Sequence, residues 1–205
     1  FYPRYQMAQD MLAKGEFGQV VLVRMTYFAW FNPTRDDPKY WRVVPEKSGG
    51  GPLPDIGSHM FDVMIGLLGL PERVFAKVTT LTHAYKVEDS SVATMVFEGG
   101  TQGIASFHWN SRTWSHEFEI VGTEAKVKWH PFDGPKIAKT VGRDTQEIDS
   151  PNSPNVHYPV IEDFVSAVAE RRQPQVLVEE AAKTNLLLDA IYLSAREGRE
   201  VALSE

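Results

Sequence analysis

Ser90-Ser-Val-Ala-Thr-Met-Val-Phe-Glu98, Gly103-Ile-Ala-Ser-Phe-His-Trp-Asn110, His116-Glu-Phe-Glu-Ile-Val-Gly122 and Ala125-Lys-Val-Lys-Trp-His130 follow one another with only short connections between them. Each run is rich in β-branched and aromatic residues, which suit a pleated, half-buried surface. Glu98-Gly99-Gly100-Thr101 and Gly122-Thr123-Glu124 read as turns. Strands that follow one another without intervening helices pair antiparallel. A run at 72–84 precedes them, and a longer one from Gln19 to Trp30 opens the set. Residues 131–155 are rich in turn formers, with short strand possibilities near 136–141 and 145–148. Helical spacing of apolar residues appears at 4–14, from Ile56 to Leu68, and at 157–172 and 178–197. Ile161, Phe164, Val165 and Val168 form the apolar stripe of the third of these helices. The expected fold is one α+β domain over residues 1–205. It has two layers: an open, mainly antiparallel sheet of about six strands, with helices on one face.

Composition narrows the function. Lys and Arg total 21 and Asp and Glu total 27 in 205 residues, a net charge of −6. An acidic chain without a basic run is a poor nucleic-acid binder. There is no cysteine, which excludes disulfides, thiolate catalysis and Cys-ligated metal, and fits a reducing, cytoplasmic setting. No apolar run reaches the length of a membrane span. Phe1-Tyr2-Pro3-Arg4 is neither a signal peptide nor an initiator, so the chain reads as part of a longer protein.

The chemistry concentrates between Gly49 and Asp62, at the end of a long loop over 31–54. Gly49, Gly50 and Gly51 allow positive φ and the close approach of a flat ligand. Asp55, His59 and Asp62 stand at i, i+4 and i+7, on one face of the helix that begins here. A carboxylate beside an imidazole orients it for acid–base work. Alternatively, Asp55 is a helix cap, His59 a half-buried polar residue and Asp62 a surface charge. Asp, His and Asp could also ligate a metal, but no second histidine is close in sequence, and no metal is expected. His108 and His116 either face a ligand or are satisfied within strands.

Gly49–Asp62 resembles the Gly-Gly-Gly-x-x-x-Asp-x-Gly-x-His-x-x-Asp segment of the Gfo/Idh/MocA oxidoreductases. Phe1 to Val20 looks like the family's helix and Gly-x-x-Gly entry to its second domain. Trp41-Arg42 is a frequent companion, and Phe164 through Val201 looks like the closing helix and tail. The family's glycine fingerprint and its Glu-Lys-Pro segment are not in this sequence. The resemblance therefore implies the C-terminal, substrate-side domain of an NAD- or NADP-dependent dehydrogenase acting on a sugar, cyclitol or polyol. Its N-terminal dinucleotide-binding domain would lie outside this chain, and the chain alone would be inactive.

The same resemblance gives His59 the hydroxyl proton and makes Asp55 the residue that orients substrate or His59. It makes Asn32 and Trp114 substrate contacts, with Trp41 and Arg42 beside them. Gly50 and Gly51 would border the cofactor on its nicotinamide side only. A homodimer or homotetramer through the open sheet face is expected. The competing expectation is a stand-alone, non-enzymatic module for oligomerisation or ligand binding.

Overall fold

A computed structural model describes residues 2–203. Nine strands form one sheet in the order β8-β7-β6-β5-β1-β4-β3-β2-β9. In chain order they are β1 (Val20–Trp30), β2 (Arg73–Thr79), β3 (Ser90–Val96), β4 (Gln102–His108), β5 (Asn110–Gly122), β6 (Ala125–Trp129), β7 (Lys136–Val141), β8 (Asp144–Asp149) and β9 (Val201–Ala202). Among the described residues only the β1–β4 pairing is parallel. The expected α+β class and mainly antiparallel open sheet stand, but the count of about six is corrected to nine. Both short runs in the turn-rich stretch pair as a hairpin, and two residues near the C-terminus add an edge strand to β2. A two-residue strand has no periodicity to read; pairing alone defines it.

The run expected at 72–84 ends as strand at Thr79. The Asp89 carboxylate accepts the backbone N–H groups of Leu81, Thr82 and His83 at 2.8–2.9 Å, drawing those residues into a loop. Burial alone would raise the Asp89 carboxyl, but these three donors, with the charge of His83, hold it below its ordinary range.

Helices α1 (Pro3–Ala13), α3 (Ser58–Leu68) and α5 (Val178–Glu197) supply buried residues to one core with the sheet. Two rows of the sheet face that core. Val74, Met95, Gly103, Val23, Ile120 and Val127 form one, and Ala76, Ala93, Ala105, Met25, Phe118 and Trp129 the next. The Ser194 hydroxyl accepts the Ala76 N–H at 3.0 Å and donates to the Arg199 carbonyl at 2.6 Å, pinning α5 to β2. On the other face Phe75, Thr94, Ile104, Arg24, Glu119 and Lys128 stand in register. That face is mixed rather than broadly apolar: Phe75, Val92 and Ile104 are exposed, while Glu119 pairs with Arg24 at 2.6 Å and Lys126 at 3.3 Å.

The remaining long helix, α4 (Tyr158–Glu170), the third in chain order, departs from expectation. Its stripe of Ile161, Phe164, Val165 and Val168 is 56–66% exposed, and the buried positions are Asp163 and Ala167. Periodicity shows that a helix has an apolar side, not what covers it. Phe164→Gln with Val168→Gln should therefore shift the unfolding free energy of this chain by no more than about 0.5 kcal/mol per site, the range for surface changes. Denaturant midpoints would read it. A loss of several kcal/mol would place the stripe in the core.

Candidate active site

The loop after β1 is anchored at Val43, which is buried with Val87 and Trp109 in a second small core edged by Tyr27, Phe31, Tyr40 and Tyr85. Anchoring Val43 fixes its neighbours Trp41 and Arg42. One turn of helix, α2 (Pro45–Ser48), follows and ends at Gly49, whose φ of 76° suits glycine. The chain then enters a π-helical turn, Leu53–Gly57, that runs on into α3. Such turns widen the helix locally and recur at functional sites.

Asp55 lies inside this turn and makes no capping bond. Instead, Arg42 Nη1 meets both Asp55 oxygens, at 2.6 and 2.7 Å. Arg42 Nε is buried and has no partner among the described residues. The guanidinium also lies over the Trp41 ring, 5.4 Å from its centre. His59, one turn further on, is exposed, and among the described residues it makes no hydrogen bond or ion pair to Asp55 or Asp62. The carboxylate expected beside the histidine is thus held by an arginine 13 residues earlier. Trp41 is 45% exposed and Trp114 55%; Asn32 and Asp62 are exposed as well.

Glu88 and Tyr192 organise the far side of the triglycine. Glu88 is 7% exposed; its carboxyl receives the Leu53 N–H at 3.3 Å and the Tyr192 hydroxyl at 3.0 Å. It occupies the place at the helix entry that a capping side chain would take. Burial raises the Glu88 carboxyl, opposed by bonds from the Gly51 N–H, its own backbone, Tyr192 and Leu53. A Cβ on Gly50 would run into the Tyr192 hydroxyl, and one on Gly51 into the Glu88 carbonyl oxygen. The close approach these glycines permit is made by the protein itself.

On the helix-side face the row beyond Met25 and Phe118 pairs Tyr27 with His116, and here the core turns polar. The two rings meet edge to face at 5.2 Å, with Trp114 at 6.3 Å and Phe132 at 5.2 Å from His116. Burial raises the Tyr27 phenol, with Asp55 and Asp133 adding to the rise and Arg42 opposing it. His116 Nδ1 stands 3.4 Å from Asp133 Oδ1. His108, by contrast, lies on the open face and meets the Ser90 and Ser106 hydroxyls at 3.0 and 2.8 Å. It is satisfied within the strands, whereas His116 is not. Neither Glu88 nor Tyr27 carried a sequence signal.

Burial lowers both His108 and His116 below the ordinary value of 6.5, in spite of Asp89 near the first and Asp133 near the second. The unfolded chain then takes up protons below about 6.5 that the folded chain refuses, so these two sites lose stability as pH falls. Glu88, with its raised carboxyl, acts in the opposite sense. The expected result is therefore a difference: between pH 7.5 and 5.5, the His108→Gln, His116→Gln double variant loses less stability than the wild type in denaturant titrations. Equal losses would show that neither imidazole is depressed.

Among the described residues, no cluster of three His, Asp or Glu could hold a metal ion, and no helix is long and apolar enough to cross a membrane. Residues 5–128, more than half of the chain, match the family model described as the GFO/IDH/MocA C-terminal domain. The chain is 26% identical over 208 residues to D-xylose 1-dehydrogenase (NADP(+)) 2 of Haloferax volcanii, covering 99% of this chain and 62% of that protein. It is 26% identical over 150 residues to oxidoreductase P35 of Formosa agariphila, covering 73% of this chain and 46% of the relative. In structure it resembles the aldose-aldose oxidoreductase of Caulobacter crescentus complexed with glycerol, with a TM-score of 0.87 at 24% identity over 99% of this chain and 61% of that one. Levoglucosan dehydrogenase in complex with NADH gives 0.83 at 22% identity, covering 97% and 62%. The chain thus spans about three fifths of the length of its first-named relative. It belongs to the Gfo/Idh/MocA family, as a C-terminal domain of that family.

Proposed function

We propose that this chain is the substrate-side domain of an NAD(P)-dependent oxidoreductase that acts on a hydroxyl of a sugar, cyclitol or polyol. The observation that carries this reading is the convergence, at the entry to α3, of the Arg42–Asp55 pair with His59 one turn on. The names of the relatives support it: a xylose dehydrogenase, an aldose oxidoreductase and a levoglucosan dehydrogenase.

His59 has no bond inside the described chain, so its imidazole is free to take the hydroxyl proton. Asp55, fixed at both oxygens by Arg42, can accept a second substrate hydroxyl without swinging away. Trp41 and Trp114 offer exposed aromatic faces to the apolar side of a sugar ring, and Asn32, two residues past the end of β1, is exposed as well. A nicotinamide, when bound, supplies the two-electron acceptor. Gly50 and Gly51 do not fit as its cradle, because the space beside them is filled by Tyr192 and Glu88. The dinucleotide is therefore assigned to a further domain of the parent enzyme.

The test is the full-length protein assayed with NAD and NADP against aldoses, deoxy sugars and cyclitols. Reduction of the nicotinamide with at least one of them is expected; none with any would overturn the reading. The same reading includes a homodimer or homotetramer through the open face, where Phe75, Val92 and Ile104 are exposed. Such an interface should bury more than about 1,000 Å² in total. Light scattering that gives only the 23.1 kDa monomer at micromolar concentration would refute it for this chain.

A further inference from the structure

His116 is 5% exposed, yet its Nε2 has no hydrogen-bond partner among the described residues. Buried polar atoms without partners are few in folded proteins, and each calls for a reason. The ring is oriented, not loose. Nδ1 faces Asp133 Oδ1 at 3.4 Å, while Tyr27, Phe132 and Trp114 wall the ring. Burial favours the neutral imidazole, against the pull of Asp133. With its one proton on Nδ1, toward the carboxylate, Nε2 is left as a bare acceptor. A neutral acceptor inside an aromatic wall suits a hydroxyl donor and disfavours an anion. Tyr27 makes this corner continuous with the Arg42–Asp55 pair, since its ring meets His116 and also packs against the small core that anchors Val43, the neighbour of Arg42.

We propose that His116 is a specificity-determining contact whose Nε2 accepts a hydrogen bond from a substrate hydroxyl remote from the carbon that reacts, with the sugar ring lying against Trp114. This deepens the reading of the site as a polyol dehydrogenase and rests on it.

The experiment uses the full-length enzyme, D-xylose and its singly deoxygenated analogues. His116→Phe keeps a planar ring and removes the acceptor. It should raise KM for the sugar about 10-fold or more, and by more than it lowers kcat. One deoxy analogue should lose as much with the wild type as the sugar loses with the variant, and should lose nothing further with the variant. A merely structural histidine would penalise all the sugars alike, and that result overturns the proposal. Should the variant fail to fold, the wild type decides by nitrogen NMR. The His116 Nε2 resonance is expected to move on addition of D-xylose, and a fixed resonance with saturating sugar overturns the assignment. If wild-type enzyme turns over polyols while His116 is indifferent, only this inference falls. If it turns over none, the functional reading falls with it.

Discussion

His59→Ala in the full-length enzyme is expected to lower kcat about 10²-fold or more, the usual scale for a lost general acid–base group. The ring sits in the first α-helical turn after the π turn that carries Asp55. It is exposed and engaged with neither Asp55 nor Asp62, so removing it should take away proton transfer without opening the core. Unfolding midpoints should stay within about 0.5 kcal/mol, as for other exposed positions. Nicotinamide affinity, read by NADH fluorescence, should hold as well, because His59 is not assigned to the dinucleotide. Asp55→Asn should reduce turnover for a different reason. The amide offers Arg42 one oxygen instead of two and removes the charge that holds the guanidinium in place. Near wild-type turnover in His59→Ala with a good substrate would remove that histidine from the mechanism.

Gly51→Ala has the largest expected effect on stability. The new Cβ would press on the backbone carbonyl of Glu88 and lie 3.1 Å from its Cδ. A backbone oxygen cannot turn aside as a side chain can, so the segment itself must shift. Overpacking of this kind costs about 1–3 kcal/mol or more, and a chain of this size loses about 2–4 °C in Tm for each kcal/mol. The shift would also pull Leu53 N–H from the Glu88 carboxyl and disturb the turn that presents Asp55. The loss should appear in this chain alone, with no cofactor present. Gly49→Ala is the matched control. Nothing lies within 4 Å of a Cβ there, and only the left-handed backbone at φ 76° opposes it. If Gly51→Ala melts like the wild type and loses only nicotinamide affinity in the full-length enzyme, the glycine serves the cofactor and not the packing.

The comparison of these two neighbours shows how far local sequence reaches. Gly-Gly-Gly before Asp-x-Gly-x-His marks a place where backbone must come close to something. It does not say to what, and the partners turn out to be Glu88 and Tyr192, 104 residues apart in sequence.

Local pattern alone determined most of the strand runs, the turns at Gly99-Gly100 and Gly122-Thr123, the four long helices and the placing of Asp55 one helical turn before His59. Those features follow from periods of 2 and 3.6 residues and from turn chemistry, which neighbouring residues express by themselves. Tertiary structure decided which groups those elements bring together. Arg42 reaches Asp55 because Val43 buries in a cluster with Val87 and with Trp109, which joins β4 to β5. His116 is buried without a partner for Nε2 because its strand register sets it opposite Tyr27 where the apolar rows end. The stripe on α4 lies open although its periodicity matches that of a core helix. In each case the outcome depends on contacts between distant parts of the chain. Local periodicity carries no record of them, since any partner of suitable shape and charge would satisfy the same pattern.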